Sequence, residues 1–172
     1  MTLDHRAGLY EACRQISPIN PDYANLPVED GFDWRARLES LRFDRLYLVV
    51  FRSIRRQDAD LKLLKEHDDR AYEAALAAGG LLRYFKGEMN ERRECLSFCL
   101  WESREQAVAA AGGASHQTAA LVTARMYETY SLERYELAKG ARGLVFRRLE
   151  ASMDQPHRAS PRGRTRSLPQ QL

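Results

Sequence analysis

The sequence predicts an α+β fold: a ferredoxin-like sandwich in which a four-stranded antiparallel sheet carries two helices on one face. Three observations predict it. Residues 46–137 alternate between β-rich and helix-periodic stretches in the order β-α-β-β-α-β, the split βαβ pattern. The strand segments are apolar on both sides rather than on one. The 172-residue chain is 44% hydrophobic and 30% charged, the composition of a globular domain with a real core. Three parts follow: an N-terminal arm with a short helix (1–45), the α+β domain (46–140), and a C-terminal extension (141–172), disordered from about residue 151.

The arm begins "MTLDHRAGLYEACRQ", which lacks the apolar core of a secretory signal, so a cytoplasmic protein is expected. "SPINPDYANLPVEDGFDW" carries three prolines and an Asp-Gly pair, marks of irregular structure. It also carries Ile19, Tyr23, Leu26, Val28, Phe32 and Trp34, an apolar load no free linker would bear, so it is expected to lie across the domain and cover something. "DWRARLESL" reads as a short helix with Asp33 as N-cap.

"LYLVVFRS" (46–53) is β-branched and aromatic, a strand. In "DADLKLLKEHDDRAYEAALAA" (58–78), Leu61, Leu64, Asp68, Ala71, Tyr72 and Ala75 fall at helical spacing, with Asp58 as the expected N-cap and Gly79-Gly80 closing the helix. "LLRYFKGEMN" and "ECLSFCLWE" pair across the charged turn Asn90–Arg93. A second helix starts after Ser103 and runs, interrupted at Gly112-Gly113, to about Tyr127. "YSLERYEL" (130–137) is the last strand.

In a strand, Cys95 and Cys99 sit about 13 Å apart at ~3.3 Å per residue. That is too far for a disulfide or a shared tetrahedral metal. The odd count of three cysteines suits a reducing compartment, and the residues read as core filling. Leu96, Phe98 and Leu100 line one side of that strand, with Cys95, Ser97, Cys99 and Trp101 on the other. Leu46, Leu48 and Val50 likewise oppose Tyr47, Val49 and Phe51. Two helices cover one face only, so the second apolar face needs its own cover. A second copy of the sheet, in a homodimer, is the economical candidate, with the N-terminal arm as its rival.

No run of eighteen apolar residues exists to span a membrane. The net charge of +3 lies wholly in the tail, where Arg158, Arg162, Arg164 and Arg166 face Asp154; residues 1–150 balance to zero. A neutral domain with a basic tail argues against a nucleic-acid partner.

The stretch "FCLWESREQAVAAA…SHQTAAL" resembles the antibiotic biosynthesis monooxygenase-like group of the dimeric α+β barrel superfamily. There a strand ends in Trp, an acidic or basic residue and Ser follow, and the next helix carries a small-residue-His segment. The resemblance covers residues 46–137 and implies a homodimer and a small apolar or aromatic ligand. It also implies chemistry of the cofactor-independent monooxygenase type on an aromatic or polyketide-like compound, with no cofactor. Non-catalytic binding or accessory proteins share the fold, as do haem-degrading enzymes. The haem-degrading pattern needs an Asn on the first strand, where this chain has Arg52 and Ser53. It needs a second Trp, where Ala109 stands, and a ligand His, where Ala119 stands. Haem binding without that triad would fall to His116 or His67.

An oxygenase of this type needs a dry pocket, a base and donors to an anion. The candidate catalytic residues are His116, His67, Tyr84 and Arg52, with Trp101 and Phe98 as pocket walls. Paired glycines break the second helix, Ser115 is expected to cap its restart, and His116 falls in the first turn, where the helix dipole favours neutral imidazole. His67 is flanked by Glu66 and Asp68. Each has a competing structural role: solvated helix residues for the histidines, cross-strand packing for Tyr84, an ion pair for Arg52, and core for Trp101. No phosphate loop, nucleophile elbow or dinucleotide fingerprint is present.

Overall fold

A computed structural model describes residues 3–141 and 143–150. The tail from 151, with its expected disorder and its basic charge, lies outside them. In chain order come α1 (Leu3–Arg14), α2 (Val28–Gly31), α3 (Trp34–Leu38), β1 (Arg45–Arg55), α4 (Leu61–Ala78), β2 (Leu81–Phe85), β3 (Glu94–Trp101), α5 (Arg104–Ala111), α6 (Ala114–Met126), β4 (Tyr127–Gly140) and β5 (Gly143–Leu149). All neighbours in the sheet are antiparallel, in the order β2-β3-β1-β4-β5. The first four strands have the ferredoxin-like topology the sequence predicts. The sheet has five strands, however, not four. "GLVFRRL" turns back at Gly143 (φ +103) and pairs with β4 from Gly140 to Arg134.

Local chemistry sets the boundaries. Asp60, not Asp58, caps α4, accepting from Leu63 N at 3.0 Å; Asp58 pairs with Arg56 at 3.0 Å instead. Gly79 and Gly80 end α4 at φ +80 and +78, where a side chain is strained. Ser103 caps α5, its hydroxyl accepting from Gln106 N. The break at Gly112-Gly113 falls where the glycines predict, but Gly113, not Ser115, is the N-cap residue of α6. A Cβ on Gly87, between β2 and β3, would lie 1.9 Å from Leu96 O, so this connection requires glycine.

Register assigns the two faces, because residues opposite one another point the same way. β1 pairs Tyr47 with Trp101 and Val49 with Cys99 on one face, Leu48 with Leu100 and Val50 with Phe98 on the other. Helices α4 and α5 cover the first face, with Ala75, Ala107 and Ala110 packed on Tyr47, Leu81 and Trp101. Small residues there let the helices approach closely.

The arm covers the second face. Leu9, Cys13, Ile16, Val28, Phe32, Trp34 and Leu38 are buried in one cluster with Leu46, Leu48, Val50, Leu96, Phe98, Leu100 and Leu137. The Phe32 ring lies 5.0–5.8 Å from Tyr23, Trp34, Phe85 and Phe98, and Trp34 Nε1 donates to Val28 O at 2.7 Å. Polar fasteners hold the arm at its start, middle and end. Arg6 forms a bidentate pair with Glu102 at 2.6 and 2.9 Å. Arg52 donates to Ala24 O and Leu26 O, and Lys139 Nζ donates to Leu38 O and Glu39 O at 2.6 Å. Asp33 is the N-cap residue of α3, as expected, but its side chain makes no capping bond to the helix backbone; it accepts from Ser17 N at 2.7 Å and from Arg37 Nε at 2.8 Å, tying two parts of the arm together. The rival cover is therefore the one in place. Stacking of a second sheet on this face, the reason for expecting a homodimer, is closed by the chain's own arm.

Candidate functional site

Between α4 and the sheet lies a polar group in an otherwise apolar layer. α4 turns Asp68 inward at the spacing of Leu64, Ala71 and Ala75. Its Oδ1 accepts from the Tyr84 hydroxyl of β2 at 2.5 Å, and its Oδ2 from Lys86 Nζ just beyond that strand. Tyr72 of α4 packs on Tyr84, ring centroids 5.5 Å apart. Further along the same face stand Cys99, Phe51, Tyr127 and Tyr130, with Tyr130 6.4 Å from Phe51 and 5.6 Å from Tyr127. Tyr130 keeps 43% of its surface in solvent, so the group reaches the outside at this end.

Burial, then the nearby Asp68 charge and its hydrogen bond, push the Tyr84 phenol far up. Tyr84 is thus held as a donor and does not ionise. Burial raises Tyr130 and Tyr127 as well. It pushes the Cys99 thiol up to about 12, with Asp68 adding to the effect. A thiol so placed stays protonated near neutral pH and is no nucleophile. The site offers one carboxylate to take a proton, an ammonium and a phenol to hold an anion, and aromatic walls. Among the described residues, no three of His, Cys, Asp or Glu converge as a metal site would need.

The six residues singled out by sequence do not form one site. Tyr84 and Trp101 are on the helix face; Trp101 is 3% exposed and packed in the core. His67 is half-buried on α4, beside Asp68. His116 falls in the first turn of α6, and its side chain lies outside the described residues. Arg52 and Phe98 are on the opposite face. Phe98 is fully buried under the arm, stacked on Phe85 at 5.2 Å. Arg52 is committed to structure: Nε to Glu133 Oε1 at 2.8 Å, Nη1 to Ala24 O at 2.6 Å and Nη2 to Leu26 O at 2.7 Å. It is an arm clamp, since β1 alternates and residue 52 shares the face of Leu48 and Val50. Asp68 and Lys86 were not singled out. The signal for Asp68 was a carboxylate inside the apolar stripe of α4.

The fold is an α+β sandwich with ferredoxin-like strand order, one further strand and an added arm. Residues 1–147 match the family model described as PB2B2.08-like, and the chain belongs to that family. Solved structures of the fold include a candidate antibiotic biosynthesis monooxygenase from Nitrosomonas europaea, 16% identical, covering 59% of this chain and 96% of its own, at a TM-score of 0.47. A cofactor-independent oxygenase from Streptomyces nogalater is 11% identical, covering 54% and 91%, at 0.43. A conserved protein from Methanosarcina mazei is 10% identical, covering 52% and 90%, at 0.47. Such likenesses bear on fold alone. No curated protein matches the chain.

Proposed function

We propose that the protein oxygenates a small aromatic or polyketide-like compound between α4 and the sheet, without a cofactor. The observation that carries this reading is the Asp68 carboxylate, delivered by a helix onto an aromatic-lined sheet face and met there by Tyr84 and Lys86. A phenol or enol entering beside them would lose a proton to Asp68, with His67 as the neighbouring alternative base. Lys86 and Tyr84 would then hold the resulting oxyanion, a preorganised arrangement for developing charge. The substrate anion supplies the electrons and dioxygen takes them, so that an activated methylene and O2 become a carbonyl and water. Trp101 acts from beneath as core, not as a pocket wall, and Arg52 takes no part. The cytoplasm is the compartment proposed, on the three free thiols.

A second reading is a non-catalytic binding or accessory protein. The hydrogen-bonded Asp68–Tyr84 pair favours it, since a carboxylate already holding two donors also serves as a strut. Oxygen uptake with a panel of hydroxylated anthrones and naphthols separates the two. The oxygenase reading expects consumption above the protein-free rate, falling by roughly a hundred-fold or more in Asp68→Asn, the usual scale for a lost general base. Equal rates with and without protein across the panel would leave only the accessory reading.

A further inference from the structure

On the arm side, where α2 and the segment before it stop short of the last two strands, a cleft of about 560 Å³ opens between the arm and the sheet. Its size suits a small molecule. Tyr135 of β4 and Phe146 of β5 form the floor, their rings 6.4 Å apart edge to face, and Leu26 and Pro27 form a wall.

Most polar groups around it are spent. Arg52 uses Nε, Nη1 and Nη2 on Glu133, Ala24 and Leu26. Glu133 gives its second oxygen to the Tyr135 hydroxyl at 2.7 Å. Two charges are left. Arg148 sits opposite Tyr135 in the β4–β5 register, hence on the same face, and among the described residues no carboxylate lies within 4 Å of it. Glu29, on α2 at the other rim, has no cation within that distance among the described residues either. The two do not reach each other across the cleft.

We propose that this cleft is a binding site for a small hydroxylated aromatic carboxylate, separate from the Asp68 group and independent of any activity there. The ring lies on Tyr135 and Phe146, in the offset or edge-on contacts aromatic rings prefer. The carboxylate takes the forked donors of Arg148 beside that floor, a bidentate match. The hydroxyl at the far end of the ring donates to Glu29. A neutral ring would leave Arg148 unused, and a cation would meet it head on. The wall that closes over the ligand is the segment whose carbonyls Arg52 holds, so an occupant braces the arm against the sheet.

The test is titration of the full chain with 6-hydroxy-2-naphthoate by calorimetry, with thermal melts alongside. Saturable one-to-one binding that raises the melting temperature is expected, because a ligand of the native state stabilises it by mass action. Arg148→Glu, at an exposed position that leaves the fold intact by circular dichroism, should weaken binding roughly ten-fold or more. Asp68→Asn, across the sheet, should leave it unchanged. The proposal is overturned if the probe shows no saturable binding, if Arg148→Glu binds as wild type does, or if 2-naphthol, lacking the carboxylate, binds equally well. Loss of binding in Asp68→Asn with wild-type binding in Arg148→Glu would place the probe on the helix side and overturn it too.

Discussion

The arm side and the helix side of the sheet start from strands of similar composition and end differently. On the arm side, covering residues and strand residues are almost all aliphatic or aromatic, and the few polar groups, Arg52, Glu133 and Tyr135, satisfy one another and the arm backbone. On the helix side the contacts are small alanines near Trp101, giving way to Asp68, tyrosines and thiols toward the open end. Over β3 and β1 the arm side is closed and serves stability, opening only at the cleft beside β4 and β5. The other keeps a carboxylate and its donors at the edge of solvent, and chemistry is sought there.

The largest effect expected from this contrast is at Trp34, 1% exposed among Phe32, Phe98 and Phe146. Trp34→Ala should cost about 3–5 kcal/mol, read by urea denaturation, and should loosen the whole sheet rather than the arm alone. A loss below about 1 kcal/mol would mean that the arm is an ornament. Next comes Arg52→Ala. It strands the Glu133 carboxylate and two arm carbonyls in a half-buried setting, each unsatisfied group costing about 1–3 kcal/mol. The same denaturation series should show a loss of about 2–4 kcal/mol, without loss of any helix-side binding.

The thiols sharpen the comparison. Burial alone pushes Cys13, in the arm, from 9.0 up to about 12, and burial with the nearby Asp68 charge does the same to Cys99 on the other face. Each then favours the folded state below the unfolded thiol's value and loses that contribution as pH rises from about 9 toward about 12. A thiol reagent at pH 8 should modify neither in the native protein and both after denaturation. The smallest stability effect is Tyr84→Phe, which removes one hydrogen bond worth about 1 kcal/mol. If the helix side is the working side, that variant should be nearly as stable as wild type yet lose ligand or turnover. This is the reverse of the Arg52→Ala pattern.

Particular residues show what could be read in advance. The β-rich composition of 46–53 and 95–101, the glycine stops at 79–80 and 112–113, and the caps at Ser103 and the start of α4 are local signals, and local physics obeyed them to within two residues. The two-sided apolar strands announced a second cover. Which cover it was stayed open, because an arm and a second copy bury the same stripe of Leu48, Val50 and Phe98. β5 was missed because "GLVFRRL" sets four apolar residues, Leu144, Val145, Phe146 and Leu149, around two arginines without alternation, and its pairing depends on a partner already in the sheet. At the site, Tyr84 stood out by type. Asp68 hid in a helix stripe, where its neighbours made it look like one more inward position, and Lys86 is set by a connection whose path local sequence does not fix. Arg52 misled because a cation at a strand end suggests anion binding, whereas its acceptors come from a segment 26 and 28 residues away.

The arm as an integral half of the core is the central claim, and exchange of the Trp34 indole N–H with deuterium, followed by NMR, tests it most directly. That proton is bonded to Val28 O inside the arm and shielded by the sheet. The account predicts that it exchanges only as slowly as the amides of β1, with the global unfolding free energy. Exchange at the rate of a free indole, while the β1 amides stay protected, would show that the arm leaves the face on its own and would contradict it.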